Sequence, residues 1–597
     1  MRDPFIVHTP EQLTAQEIAD YFVETYTDFP KLQDPVNMFI HGARGAGKSI
    51  MLRSLEPEVQ RLLKKDVSLP FFAVHVPIKE VFFGNHEFRR LKGWRGTTVG
   101  EHLLAVHCMQ YVLRAVSEVV EDFPGSFAED FADFWEDCGG PSREIEKISK
   151  ASSFLELAKF CDRESSSRVR QYYIRLTDEV EPEIYSGALT SFRDFLLPLV
   201  GSLQKVGPEL LDKPICLMID DADNLPEALQ RVLNSWISTR AVSRVCFKVT
   251  TQLAYKTFRT TDNRIIESPH DFSEINISGL YTSSKGNFSK KIKAIVEKRL
   301  KLAGIDATPD EFFPFHKKQN DRRSEIAVDL LEGKRSNYVN LKKSGPKQDR
   351  DWSQRYATPA LMRELASSKS SHTYSYAGLQ SLVDLSSGVV RWFLEPAGRM
   401  YQETMKAGGQ SDVSQKPMEI PTGVQDRVIT HWSREFREHL NTGSVEAEAF
   451  DEGASLHTQG HDQESYRRLA NLLDAMGAFC RTKLLDPSES EQRVFSFALS
   501  DEPSENLQNI LHLGVRLGYL QKSDLAAKST VGGRRPRYIL SRRLGPHYRL
   551  DVSGYAAHLS VSCSDLEVAM HNPQAFTNRR KQVTHDNLQK SIDFGES

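Results

Sequence analysis

The sequence predicts an α/β protein: a parallel sheet with helices on both faces, then a helical segment, then a smaller C-terminal module of helices and a hairpin. Three observations carry this. Short apolar runs of strand length alternate with helical patterns through the first half of the chain. One such run breaks into a glycine-rich loop and resumes as a helix, in "NMFIHGARGAGKSIMLRS" (Asn37 to Ser54). Another, "ICLMIDDADN", is apolar throughout and ends in acids, as a strand covered on both faces does.

In chain order, Thr14 and Glu17 have capping-box spacing, and Ile18, Phe22 and Tyr26 share one helical face. Val36 to Ile40 reads as the first strand, and from Lys48 the residues Ile50, Leu52 and Leu55 run helically until Pro57. Leu69 to Ile78 is a second strand, followed by a long helix over Glu101 to Phe123. Gly125 to Gly187 is acidic but keeps apolar residues at helical spacing, so a helical insertion is placed at about 84–187. A helix over Leu189 to Leu203 leads into the strand Ile215 to Ile219, and Arg244 to Gln252 and Asp271 to Leu280 supply a fourth and a fifth strand.

Lys290 to Leu302 is helical, whereas Asp310 to Gln354 turns polar and reads as a mobile insertion. Tyr376 to Met400 is a helix pair broken at Ser-Ser-Gly. Helices at Gln425 to His439 and Ser465 to Lys483, the strand "RVFSFAL", a helix over Ser504 to Leu520 and the turn-and-strand "GGRRPRYIL" have the succession of a winged-helix-like module. The resulting division is a base at 1–305, a lid at 306–403 with its polar insertion at about 310–354, a linker at 404–424, the module at 425–571 and a polar, disordered tail at 572–597.

Composition limits the functional classes. A formal charge of -3 excludes a chain that is basic throughout, so nucleic-acid binding has to rest on a local patch. The cysteines lie far apart with no Cys-x-x-Cys pair, which excludes a zinc finger and suits a reducing compartment. The start has no signal-peptide layout, and the longest apolar runs fall short of the ~18 residues a membrane span needs. A cytoplasmic protein without a membrane partner is expected.

Gly42, Gly47, Lys48 and Ser49 match G-x-x-x-x-G-K-[ST] in full, between a strand and a helix. In such a loop, here Gly42, Ala43, Arg44, Gly45, Ala46, Gly47, Lys48 and Ser49, the glycines let backbone amides turn inward around phosphates. The following helix adds partial positive charge, Lys48 reaches the terminal phosphates, and Ser49 offers a hydroxyl to Mg2+. The second acid site is expected at the end of another buried strand, where Asp220 would hold the metal and Asp221 would orient the attacking water.

This Walker A loop, the Walker B stretch "IDDAD", the polar-ended strand "KVTTQ" and the downstream "SSGVVRWFLE" together resemble an AAA+ P-loop ATPase of the origin-recognition and archaeal replication-initiator group, over about Thr9 to Met400. The resemblance implies ATP as the nucleotide, bound with Mg2+ between base and lid, and a homo-oligomer. Either Thr251 or Gln252 matches the sensor residue at the tip of the strand after Walker B. Arg391 matches the lid arginine, and Arg259 or Arg264 the finger supplied to a neighbouring subunit. One departure stands out: the family's usual Asp-Glu is Asp-Asp here, so Asp221 reaches about one methylene less toward the water, and hydrolysis is expected to be slow.

From Lys522 to Arg549 eight Lys or Arg face one acid, Asp524, a local excess of the kind a phosphate-binding wing uses. By resemblance the helix Ser504 to Leu520, with Gln508, Asn509, His512 and Arg516, would enter the major groove of double-stranded DNA, and the "GGRRPR" hairpin, with Arg534, Arg535 and Arg537, would lie along the minor groove. Docking of a protein is the competing use of such a module. The expected activity is therefore ATP binding and hydrolysis coupled to DNA or partner engagement. The alternative is a STAND-like signalling switch, as in bacterial anti-phage (antiviral) defence, gating an effector protein.

Overall fold

The computed structural model describes residues 3–24, 29–63, 69–78, 94–165, 167, 171, 185, 187–240, 243–252, 255–277, 288–335, 346–367, 374–407, 416–442, 463–486, 493–526, 534–553 and 557–579. They form two compact units, His8–Gly279, and Met1–Val7 with Leu280–Ser597.

The first unit is built on five parallel strands, β1 (Met38–His41), β2 (Phe72–Pro77), β3 (Ile215–Asp220), β4 (Val245–Thr251) and β5 (Ser273–Asn276), in the order β2-β3-β4-β1-β5. Period-two alternation supplies both faces. Ile215, Leu217 and Ile219 of β3, with Phe247 and Val249 of β4, enter one core; Cys216, Met218 and Cys246 enter the other. Lys248 points into the second core without exposure, its ammonium donating to the Asp34 carbonyl at 2.9 Å and lying 5.1 Å from the centre of the Phe71 ring. The helix Ala15–Tyr21 opens with the expected capping box, Thr14 Oγ1 accepting the Glu17 N–H at 3.2 Å.

The first core is covered by the insertion, as expected from its helical spacing: helices Trp94–Ser117, Gly125–Asp137, Ser142–Ser149 and Phe154–Phe160. Phe127, Phe131, Trp135, Phe154, Phe160 and Phe195 fill its centre, which is why so acidic a stretch folds. Glu144 is buried and accepts the Trp135 indole N–H at 3.0 Å, while the other acids of these helices are at least partly exposed; residues 84–93 and 172–184 of the expected insertion lie outside the described residues.

The second unit begins at Leu280, so the helix Phe288–Leu302, assigned by sequence to the base, groups here. Part of the reason is the N-terminal segment: Phe5 sits 5.8 and 5.5 Å from Phe312 and Phe313, and Arg299 donates to the carbonyls of Pro4 and Ile6 at 2.8 and 3.1 Å. The polar stretch 310–354 is not a mobile insertion where it is described. It forms a turn at Pro309–Phe312 and helices Lys317–Leu331 and Pro346–Ser367, paired through Ile326, Leu330, Trp352, Tyr356 and Ala360. The described Lys, Arg and Asp side chains of the stretch are at least partly exposed, and Arg322 and Arg335 both donate to Glu364.

Helices Leu379–Leu385 and Val390–Ala407 flank the Ser-Ser-Gly break, and Thr422–Thr442 and Gln463–Leu485 follow. Strands β6 (Val494–Leu499), β7 (Leu520–Ala526), β8 (Arg534–Leu540) and β9 (Ala557–Val561) form a sheet ordered β7-β8-β6-β9, in which β7 and β8 are an antiparallel hairpin. The helix Glu505–Arg516, capped by Ser504, precedes the hairpin. The expected disordered tail is helical over 573–579, because Phe576 is buried 5.8 Å from Phe479.

Two buried histidines make the first unit acid-sensitive. His102 Nδ1 accepts the Thr190 N–H at 3.1 Å, and burial pushes its pKa down to about 3. Burial pushes His107 down to about 4, against the bond from its Nε2 to the Pro77 carbonyl. Unfolded, both take up protons near 6.5, so below that pH the unfolded chain holds more protons and stability falls as pH falls. Thermal melts should show a loss of about 1.4 kcal/mol per pH unit for each histidine between pH 6.5 and 5, and His102→Asn should remove about half of the slope.

Candidate nucleotide-binding site

β1 ends at His41 and the glycine-rich loop begins at Gly42, whose N–H donates to the Thr251 carbonyl at 3.1 Å. Gly45 and Gly47 take φ of 81° and 96°, a left-handed backbone that a side chain would disfavour and that lets the chain curl before the helix Lys48–Arg53. Lys48 is buried, and its ammonium donates to the carbonyls of Gly42 at 2.9 Å and Ala43 at 3.3 Å. The expected cationic group therefore lies against the loop itself.

β3 runs two strands from β1, with β4 between them, and delivers Asp220 at its end. This carboxylate is 1% exposed. His75 Nε2, from β2, lies 3.0 Å from Oδ2; the Thr250 hydroxyl, from β4, donates to Oδ1 at 2.5 Å; and the nearby Ser49 hydroxyl also favours the charged form. Burial opposes ionisation, but these partners prevail and hold the carboxyl down at about 2. A carboxylate and a hydroxyl brought together as hard oxygen donors fit Mg2+.

Asp221 follows with φ 56° and ψ 49°. Its N–H donates to Thr250 Oγ1 at 2.8 Å, so one hydroxyl fixes both acids. Of the two sensor candidates, Thr251 is buried, its Oγ1 2.6 Å from His41 Nδ1, and burial holds that imidazole below its ordinary value against the pull of Glu274. Gln252 continues from the strand end, its N–H donating to the Asp223 carboxylate.

Arg391 belongs to the other unit, half-buried at the second position of the helix Val390–Ala407. Arg259 donates to the Asn263 carbonyl at 3.1 Å, and Arg264 lies 3.5 Å from Asp271. Thr250, His75, His41 and Asp223 were not singled out from the sequence. The available signal was a polar residue interrupting or ending an apolar strand run, as in "FFAVHVPI" and "NMFIHG".

The C-terminal basic excess divides. Arg543 is buried, its guanidinium 4.1 Å from the ring centres of both Trp432 and Phe436, and Arg542 lies 3.8 Å from Asp384, so neither forms an open basic face. Arg537 is half-buried in β8; the side chains of Arg534 and Arg535, and the hairpin tip 527–533, lie outside the described residues. Gln508, Asn509, His512 and Arg516 all lie at least partly exposed on one helix.

A family model described as ORC-CDC6-like matches residues 3–561. The chain belongs to the ORC-CDC6-like family. The family is one of AAA+ ATPases, which accounts for the loop on β1 and the acids on β3 as a nucleotide site. No curated protein matches the sequence. Among the described residues no helix is long and apolar enough to cross a membrane.

The Thr250 hydroxyl gives this ORC-CDC6-like site its most direct test. Thr250→Val keeps the shape but strips a bond from a buried carboxylate and from the Asp221 N–H. It should cost about 1–3 kcal/mol of stability, read by thermal melting, and weaken magnesium-dependent ATP binding more than metal-free binding.

Proposed function

We propose that this protein binds ATP with Mg2+, hydrolyses it slowly, and uses the nucleotide state to control engagement of duplex DNA by its C-terminal module. The observation that carries the reading is the meeting of Ser49, Asp220 and Thr250 beside a glycine-rich loop that holds Lys48.

In the proposed mechanism, the loop amides from Gly42 to Ser49 and the Lys48 ammonium bind the phosphates. Bound Mg2+ would neutralise charge on the terminal phosphates, and Ser49 and Asp220 are the oxygen donors the chain offers it. Asp221 accepts a proton from the water that attacks the γ-phosphorus, ADP leaves, and Thr250 holds the Asp221 backbone in place. Thr251 or Gln252 contacts the terminal phosphate, and Arg391 responds to its presence. Arg259 or Arg264 serves a neighbouring copy in a homo-oligomer. The division into base, lid and winged-helix-like module, and a cytoplasmic location, belong to the same reading.

For the module, phosphate contact is favoured over base readout: Arg537 with Arg534 and Arg535 along β8, together with the exposed polar residues of the helix Glu505–Arg516. A signalling switch that gates an effector is the second reading, favoured by Asp221 in place of the longer Glu.

Lys48→Ala should abolish ATP binding in a calorimetric titration, whereas Asp221→Asn should preserve binding and lower turnover about 100-fold or more. Tight ATP binding by Lys48→Ala would overturn the phosphate-loop assignment.

Duplex DNA should bind with an affinity that falls steeply with salt, and replacing Arg534, Arg535 and Arg537 with Ala should reduce the log–log salt slope by about one for each phosphate no longer neutralised. A binding curve unaffected by all three substitutions would shift the assignment to protein docking.

A further inference from the structure

Arg391 and the β7–β8 hairpin are joined through one turn. Ser386, Ser387 and Gly388 connect the helix Leu379–Leu385 to the helix that carries Arg391. Ser387 is 4% exposed and takes φ 50°, and Gly388 takes φ 84°. A serine at positive φ is a conformation that its surroundings must hold.

Here the hairpin holds it. Gln521 Nε2 donates to the Ser387 carbonyl at 3.0 Å, and the Arg542 N–H donates to Ser387 Oγ at 3.0 Å. Gln521 is the second residue of β7 and Arg542 lies two residues past β8, so the turn is gripped from both strands at the hairpin's open end, where Leu520 pairs with Leu540. The Arg542 guanidinium adds an ion pair with Asp384, at 3.8 Å, on the helix before the turn.

The other side of Arg391 is held as well. Trp392 packs over Gly518, where an added Cβ would come within 2.9 Å of its ring. Gly518 has φ 79°, and its N–H closes the end of the helix Glu505–Arg516 on the Val515 carbonyl at 3.1 Å. The backbone just before Arg391 is thus fixed by the hairpin, and the residue just after it by the end of the helix that precedes the hairpin.

We propose that the Ser387 turn couples Arg391 to the β7–β8 hairpin, so that a displacement of Arg391 is transmitted to the hairpin and a ligand on the hairpin resets Arg391. The second state comes from the turn itself: once its two bonds to the hairpin break, the serine relaxes toward negative φ. Coupling through shared bonds acts equally in both directions. Ser387 and Gln521 are positioning residues, and the inference rests on the reading of Arg391 as the arginine that senses the nucleotide.

The test is hydrogen exchange of the full chain, with and without magnesium and a slowly hydrolysed ATP analogue. In the wild type, exchange should slow in the Gly42–Ser49 loop and change by about threefold or more in β7 and β8. Ser387→Gly combined with Gln521→Ala removes both bonds and leaves the turn free to keep its positive φ. This variant should retain the loop response and the wild-type melting temperature to within a few degrees, and lose the hairpin response.

A wild-type hairpin that ignores the nucleotide while the loop responds would overturn the coupling, and so would a hairpin response that survives in the double variant. Arg391→Ala separates the two levels of failure. If the hairpin still responds in Arg391→Ala, the sensor reading fails and takes the coupling with it. If the response vanishes there but survives in Ser387→Gly with Gln521→Ala, the sensor reading stands and the route through Ser387 is wrong.

Discussion

The buried carboxylate of Asp220 is the constraint on which the first unit depends. A carboxylate removed from water costs several kcal/mol unless its oxygens are bonded. The partners come from three separate elements: His75 of β2, Thr250 of β4, and Ser49 at the start of the helix after β1. In the observed sheet β2 and β4 flank β3 and supply both strand partners, and β1, beside β4, leads into the loop that carries Ser49. The observed strand order satisfies this charge, and it also puts the glycine-rich loop and the acids at the ends of strands separated by β4 alone.

The local part of this site was legible in the sequence, because the loop, the acids after β3 and the apolar runs are each set by neighbouring residues. Thr250 and His75 were not, since each acts on a residue 30 or 145 positions away across a strand pairing that periodicity does not reveal. The sheet strands were legible for the same reason that both cores are clean: residues alternate between them. Residues 310–354 misled because helices whose buried stripe is a few residues wide read as polar when averaged. Ile326, Leu330, Trp352 and Tyr356 are sparse in sequence and contiguous only once the two helices pair.

Charge counting overstated the C-terminal basic face for a related reason. An arginine counts as a surface charge until its surroundings are known, and Arg543 lies between Trp432 and Phe436, where stacking on two rings is worth about 1–2 kcal/mol or more in a desolvated setting. Its carbonyl accepts the Ser433 hydroxyl at 2.7 Å, and Tyr519, which stacks on Phe436 at 4.1 Å, donates to the Phe436 carbonyl at 2.6 Å. Arginine here joins the helix Thr422–Thr442 to the base of the hairpin. Of the basic residues counted from Lys522 to Arg549, Arg542 and Arg543 are thus taken up inside the unit, and among the described side chains Lys522 is exposed and Arg537 half-buried.

Asp221 shows why the acid pair departs from Asp-Glu. Its backbone is left-handed, with the N–H tied to Thr250, and aspartate tolerates that region more readily than longer side chains do, because its short carboxylate can bond locally. A glutamate would gain about one methylene of reach and lose that tolerance. Length of side chain and ease of the turn thus oppose each other at a single position, and this chain has the residue that favours the turn. Its neighbour Asp220 is meanwhile fixed by three partners that do not depend on the identity of residue 221. Asp220 is thus fixed by its own partners, and residue 221 answers to the demands of the turn.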